Sequence, residues 1–191
     1  MINWEAIWET HAPHYSNGQS KIPLPNGKVI RLKAGPGFGD LSHATTTLSL
    51  SLIKPNMPLS IDIGTGTGIL AIAMALLGAK KVFAFEIDPP SIKHARENIV
   101  LNNLTERILI NPKTPPKHFD QLALNMIYTE QEQALKSNPF ANNCDHYRIV
   151  SGVLSEHENA YLKNFHHGTL LTRKIKDNWL AYTFNYQKEK R

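Results

Sequence analysis

A single cysteine, Cys144, stands among the 191 residues. An intrachain disulfide is therefore excluded, and a reducing compartment, the cytoplasm, is the expected setting. Charge is sparse: 19% of residues are charged against 41% hydrophobic, the balance of a globular chain rather than a disordered one. Long apolar runs are missing. The longest, Ile69 to Leu77, falls short of the roughly 20 residues that cross a bilayer, so no membrane association is expected. Met1-Ile2-Asn3-Trp4-Glu5 lacks a basic segment leading into an apolar one, and no secretory leader is expected from it. Zinc spacings are missing too, despite nine histidines. His11-x-x-His14 has no third ligand nearby, and His166-His167 are neighbours that point apart on any regular element, so no metal is expected.

What is present fits one domain with a real core. The net charge of +5 and a pI near 9.3 favour an acidic partner such as RNA or a ribosomal surface. RNA contact is compatible with that charge but not required by it. The basic residues cluster only at Arg173-Lys174-Ile175-Lys176 and Lys188-Glu189-Lys190-Arg191, which also read as a solvated face and a frayed tail.

The pattern along the chain predicts a short helix from Asn3 to Glu9, capped by Asn3, with Trp4 and Trp8 on one face. The Pro, Gly, Asn and Ser content of His11 to Gly27 reads as a loop, and Lys28 to Lys33 as a strand. A glycine-rich loop, Ala34 to Asp40, precedes an apolar-periodic run, Thr45 to Ile53. Strands and helices then alternate. Strands are expected at Leu59–Ile63, Lys81–Ile87, Arg107–Ile110, Asp120–Asn125 and Arg148–Val153. Helices are expected at Ile69–Leu77, Pro89–Asn102, Thr129–Ser137 and Glu156–Phe165. Thr169–Arg173 and Trp179–Tyr186 read as a closing antiparallel pair. Such alternation predicts an α/β, doubly wound, Rossmann-like fold with a mostly parallel seven-stranded sheet. Residues 1–33 are expected to lead in and 34–191 to form the main domain.

The richest signal is Asp62-Ile63-Gly64-Thr65-Gly66-Thr67-Gly68 between a strand and a helix. Glycines permit a sharp turn that brings backbone N–H groups toward a ligand, aided by the helix N-terminus. A dinucleotide loop needs Gly-x-Gly-x-x-Gly/Ala, and counting from Gly64 its last position is Ile69. No Gly-Lys-Ser/Thr follows, which excludes a P-loop. About twenty residues on, Glu86 ends the next strand where an acid can accept hydrogen bonds from a ribose diol, while Asp88 reads as the cap of the next helix. Asn125 ends the fourth of the alternating strands, where its oxygen and nearby carbonyls can accept hydrogen bonds from an amine.

The Asp-x-Gly-x-Gly-x-Gly spacing resembles that of class I methyltransferases, where the loop borders the methionine part of S-adenosylmethionine. Four blocks together resemble the ribosomal protein L11 methyltransferase family. They are Asn3 to Trp8, the loop Gly35 to Thr46, the stretch Asp62 to Asn103, and Asn125-Met126-Ile127 with Val150-Ser151-Gly152-Val153-Leu154. The resemblance implies S-adenosylmethionine as cofactor and methylation of protein amines, with a ribosomal protein as partner. It implies that Thr46, Gly64, Glu86 and Asn125 contact the cofactor, and the same loop brings in Asp62, Thr65, Gly66 and Gly68. Asn125 is the expected catalytic residue, orienting the acceptor nitrogen, and the Phe38 to Thr46 loop would close over the site. Family members carry an N-terminal recognition domain ahead of the tryptophan segment, and this sequence starts at that segment. Asp40-Leu41 replaces the family's glycine-threonine pair, and the region 111–118 lacks the usual acid near adenine.

Rival readings are a nucleic-acid methyltransferase, a binding homologue without turnover, and a thiol nucleophile at Cys144 beside His146. The first lacks the Pro-Pro-aromatic that often follows Asn or Asp, since Met126-Ile127-Tyr128 stands there. The last is disfavoured by the loop expected around Cys144.

Overall fold

The computed structural model describes residues 2–165 and 168–186. The His166-His167 pair and the basic tail 188–191 lie outside the described residues.

The first helix is α1 (Trp4–His11), ending two residues later than its pattern suggests. Asn3 caps it, its Oδ1 accepting the Ala6 N–H at 3.2 Å, and Trp8 is buried. Next come β1 (Tyr15–Ser16), β2 (Gln19–Pro23) and β3 (Val29–Leu32), a separate antiparallel sheet in that order. The predicted loop from His11 to Gly27 is therefore wrong. Asn17 and Gly18, at φ of 53° and 74°, close a two-residue hairpin, which is the turn Asn-Gly favours. Beyond it Ser20 and Ile22 are buried while Lys21 and Pro23 are exposed, a strand alternation masked by polar composition.

The main body follows as α2 (Ala44–Leu50), β4 (Leu59–Ile63), α3 (Ile69–Leu76), β5 (Lys81–Phe85), α4 (Pro89–Leu101), β6 (Ile108–Ile110) and β7 (Phe119–Asn125). It ends with α5 (Tyr128–Ser137), β8 (Cys144–Leu154), α6 (Glu158–Asn164), β9 (Thr169–Lys176) and β10 (Trp179–Asn185). Two boundaries differ usefully from expectation. β5 stops at Phe85 because Glu86 turns the chain outward, leaving Ile87 95% exposed. β8 starts at Cys144, so that cysteine belongs to a strand and not to a loop. Its thiol is buried, donates to the Tyr147 carbonyl, and is pushed up to about 11 by desolvation. A thiolate nucleophile there is ruled out.

The seven strands order as β6-β5-β4-β7-β8-β10-β9. All neighbours pair in parallel except β10, which runs against both β8 and β9. The chain leaves β4 toward β5 and β6, then returns to β7 on β4's other side. That reversal opens a crevice beyond the carboxyl ends of β4 and β7, where this architecture holds ligands. α3, Ile-Leu-Ala-Ile-Ala-Met-Ala-Leu, is buried over nearly its whole surface. It shares one core with Trp8, Ile22, Leu24, Ile30 and Leu32, so the small sheet caps the helix that starts at the glycine turn. Each such buried aliphatic side chain contributes about 1.5–3 kcal/mol. Among the described residues no helix is long and apolar enough to cross a membrane.

Candidate functional site

The glycine turn leaves β4 at Asp62-Ile63 and enters α3 at Ile69. Its amides do not point at a ligand, as the sequence suggested. Gly64 and Thr65 donate to the Phe85 carbonyl at 2.9 and 3.0 Å, Thr67 donates to the Phe38 carbonyl at 2.9 Å, and Gly68 donates to the Thr65 carbonyl at 2.8 Å. The Gly66 N–H goes to Glu86 Oε2 at 3.0 Å, and the Ile69 N–H to Thr67 Oγ1 at 3.3 Å. The turn is a closed unit, because buried N–H groups must be met and the protein meets them itself.

Glu86 is placed by this network. Besides Gly66 it accepts the Ile87 and Asp88 N–H groups on Oε1 at 2.8 and 3.1 Å. A carboxylate has about four acceptor positions, so about one remains for a ligand hydroxyl. Asn111, at φ of 49° just after β6, clamps the backbone of Glu86: its Oδ1 accepts the Glu86 N–H at 3.0 Å and its Nδ2 donates to the Glu86 carbonyl at 2.8 Å. Sequence reasoning missed Asn111, although an asparagine closing an apolar triplet was its available signal. Asp88 caps α4, accepting the Ser91 N–H at 2.9 Å, as expected.

The loop from Gly35 to Asp40 lies against the turn. Gly66, at φ of +54°, is pressed against the Phe38 carbonyl, so any Cβ there would collide with it. Thr67 Oγ1 donates to the Gly39 carbonyl at 3.1 Å. The loop is anchored from behind by His94, another residue missed in the sequence. His94 Nδ1 accepts the Gly37 N–H at 3.0 Å and Nε2 donates to the Lys33 carbonyl at 2.9 Å, the neutral tautomer these partners require. Burial depresses its pKa, opposed by the Lys33 hydrogen bond and the charge of Glu97. Trp8 Nε1 donates to the Gly35 carbonyl at 3.2 Å.

Three polar atoms are buried without a hydrogen-bond partner on elements that converge here: Thr46 Oγ1 on α2, Asp62 Oδ1 on β4 and Asn125 Oδ1 at the end of β7. Asp62 uses its other oxygen to accept the Thr65 hydroxyl at 2.6 Å. Burial raises its carboxyl to about 6, the Thr65 hydroxyl and the Ala71 N–H work against that, and the Glu86 charge adds to it. Asp62, Gly64, Thr65, Glu86 and Asn125 thus stand near the carboxyl ends of β4 and β7, and Thr46 lies against Gly39 of the loop that packs on the turn. Gly66 and Gly68 are turned toward protein: Gly66 toward Phe38, and Gly68 toward Ala95 of α4, 3.5 Å from where a Cβ would stand. Of the carbonyls beside Asn125, that of Met126 is engaged by Gln131 Nε2 at 2.9 Å.

A parallel sheet with one reversed strand, a glycine turn after its central strand and an acid closing the next define the Rossmann-like methyltransferase class. The profile of the ribosomal protein L11 methyltransferase family matches residues 14–187, and the chain belongs to that family. The enzyme named ribosomal protein L11 methyltransferase of Pelobacter propionicus is 33% identical over 184 residues, spanning 85% of this chain and 59% of its own length. Its namesake in Prochlorococcus marinus is 47% identical over 120 residues, 56% of this chain and 40% of its own length. The chain thus spans roughly half the length of such curated relatives. The crystal structure of the ribosomal protein L11 methylase from Lactobacillus delbrueckii subsp. bulgaricus superposes with a TM-score of 0.66 at 25% identity, covering 86% of this chain and 89% of that one. M. capricolum TrmK, solved with S-adenosyl-homocysteine, shares the fold at a TM-score of 0.56 and 16% identity, covering 74% and 67% of the two chains.

Proposed function

We propose that this chain is an S-adenosylmethionine-dependent methyltransferase that N-methylates amino groups of a protein, with a ribosomal protein such as L11 as acceptor. One observation carries the reading. The amides of residues 64–69 are consumed within the protein, while Thr46 Oγ1, Asp62 Oδ1 and Asn125 Oδ1 stand buried with nothing to accept from or donate to. Such a crevice offers little to a pyrophosphate, which needs open N–H groups. It suits a ligand carrying positive charge on an amine and a sulfonium, and buried polar atoms call for such a partner.

When bound, S-adenosylmethionine supplies a methyl group on a good leaving group, so the protein's task is mainly alignment. Asp62, Thr46, Gly64 and Thr65 face the amino-acid end, and Gly66 and Gly68 keep the turn packed behind it. Glu86 offers its remaining acceptor position to the ribose. Asn125 accepts a hydrogen bond from the acceptor nitrogen and aims its lone pair; an amide of this kind is not a base. A lysine with a pKa of about 10.4 has to release its proton to water before it enters, and desolvation beside Asn125 favours the neutral amine. Residues 1–33 serve as the lead-in that braces the lid, 34–191 as the catalytic unit, and the cytoplasm as the place of work.

Titration calorimetry with S-adenosylmethionine, followed by tritium-methyl transfer to total ribosomal protein and, separately, to ribosomal and transfer RNA, tests the reading. Binding with label in protein is expected, and Asn125→Ala should lower turnover about tenfold or more with a much smaller effect on cofactor affinity. Label in RNA alone would replace the acceptor class, and absence of binding would remove the proposal.

A further inference from the structure

We propose that Gln131, on α5, is a positioning residue that fixes the strand end carrying Asn125; its kinetic test rests on the methyltransferase reading above. Gln131 is fully buried, and its amide is spent on three contacts. Nε2 donates to the Met126 carbonyl at 2.9 Å and to the Ser151 carbonyl at 3.0 Å, and Oε1 accepts the Tyr161 hydroxyl at 2.8 Å. Met126 is the residue after Asn125, and Ser151 is the residue paired with Asn125 across β7 and β8. One side-chain amide therefore staples the two strands at the point where their ladder stops.

The surroundings leave that staple no slack. Gly152, at φ of +99°, lies so close to the Met126 carbonyl that a Cβ would run into it. Tyr161 is itself held between rings, 5.8 Å from Tyr182 at an interplanar angle of 10° and 4.8 Å from Phe165 at 20°. Asn125 Oδ1, in contrast, has no hydrogen-bond partner among the described residues. Its direction is set by the main chain beneath it, and Gln131 is what holds that main chain. A buried primary amide is an expensive way to fill a helix–sheet contact unless both its donors and its acceptor are used. An apolar side chain of equal length would fill the space and take this donor from the Met126 and Ser151 carbonyls.

Gln131→Met keeps length and burial but removes both donors, and Tyr161→Phe keeps the ring stack but removes the hydroxyl. In tritium-methyl transfer to total ribosomal protein, Gln131→Met should lower kcat about tenfold to a hundredfold, with KM for S-adenosylmethionine within about twofold. Tyr161→Phe should give a smaller loss, and none beyond that of Gln131→Met when the two are combined, since they act through one amide. Losses that add, or a lowered melting temperature with unchanged kcat, would overturn the assignment. Hydrogen exchange of the same full-length proteins supplies a readout independent of turnover. Amides of residues 126–128 should exchange faster in Gln131→Met while those of β4 keep their protection, and uniform or absent change would overturn the staple. A wild-type protein that transfers no methyl group would sink the functional reading, with the exchange arm still deciding on Gln131.

Discussion

Asp62 is buried completely, with one oxygen on the Thr65 hydroxyl and the other unpartnered, and its carboxyl is raised to about 6 from an ordinary 3.8. A raised carboxyl favours the fold below its unfolded value, and that contribution is lost as the pH rises through about 6. A cationic ligand beside it reverses the preference by stabilising the ionised form. The rise in melting temperature caused by S-adenosylmethionine should therefore be larger at pH 7.5 than at pH 5.5, equivalent to about fourfold in affinity. Asp62→Asn should flatten the difference, and an equal shift at both pH values in the wild-type protein would count against this role. At this scale three expected residues, Asp62 and Asn125 from their strand ends and Thr46 from the family resemblance, carry buried polar atoms left open among the described residues. The backbone was not legible in the sequence. Spacing shows that a chain can turn sharply at Gly64, Gly66 and Gly68, but which carbonyl takes each amide depends on Phe38 and Phe85, residues brought there only by folding.

Among the elements, the Gly35–Asp40 loop has a titratable anchor, His94, beside its hydrogen bonds with Trp8 and Thr67. His94 must be neutral at Nδ1 to accept the Gly37 N–H, and burial depresses its pKa below 6.5. A depressed histidine contributes stability above its unfolded value and loses it as the pH falls through the folded one. Urea unfolding should show the wild-type protein losing more stability between pH 7.5 and pH 5 than His94→Gln, whose side chain does not titrate. Parallel pH profiles would show that the anchor lies elsewhere. His94 escaped sequence reasoning because a histidine inside a helix has no local signature. Its partners, Lys33 and Gly37, lie more than fifty positions upstream. The first hairpin escaped for another reason. Asn17-Gly18 was a usable signal, outweighed by the polar and proline-rich residues around it.

For the whole molecule, alternation of strands and helices predicts a mostly parallel sheet closed by an antiparallel pair, and β9 and β10 form that pair. Alternation does not rank neighbours, so the placement of β10 between β8 and β9 and the separate sheet of β1 to β3 had to come from long-range packing. That small sheet shares its core with α3, with Ile30 and Leu32 fully buried. Removing residues 1–33 should therefore strip the cover from α3 and abolish cooperative unfolding, whereas the full chain should unfold in one transition by circular dichroism and tryptophan fluorescence alike. A truncated chain that melts sharply near the full-length temperature would show that the lead-in is dispensable.

The contact between Gly66 and the Phe38 carbonyl ties together two stretches that lie far apart in the sequence. Because it is main chain against main chain, no rotamer can relieve it. A side chain at 66 would require the Gly35–Asp40 stretch to take another path, so a substitution there is tolerable only with a compensating change around Phe38.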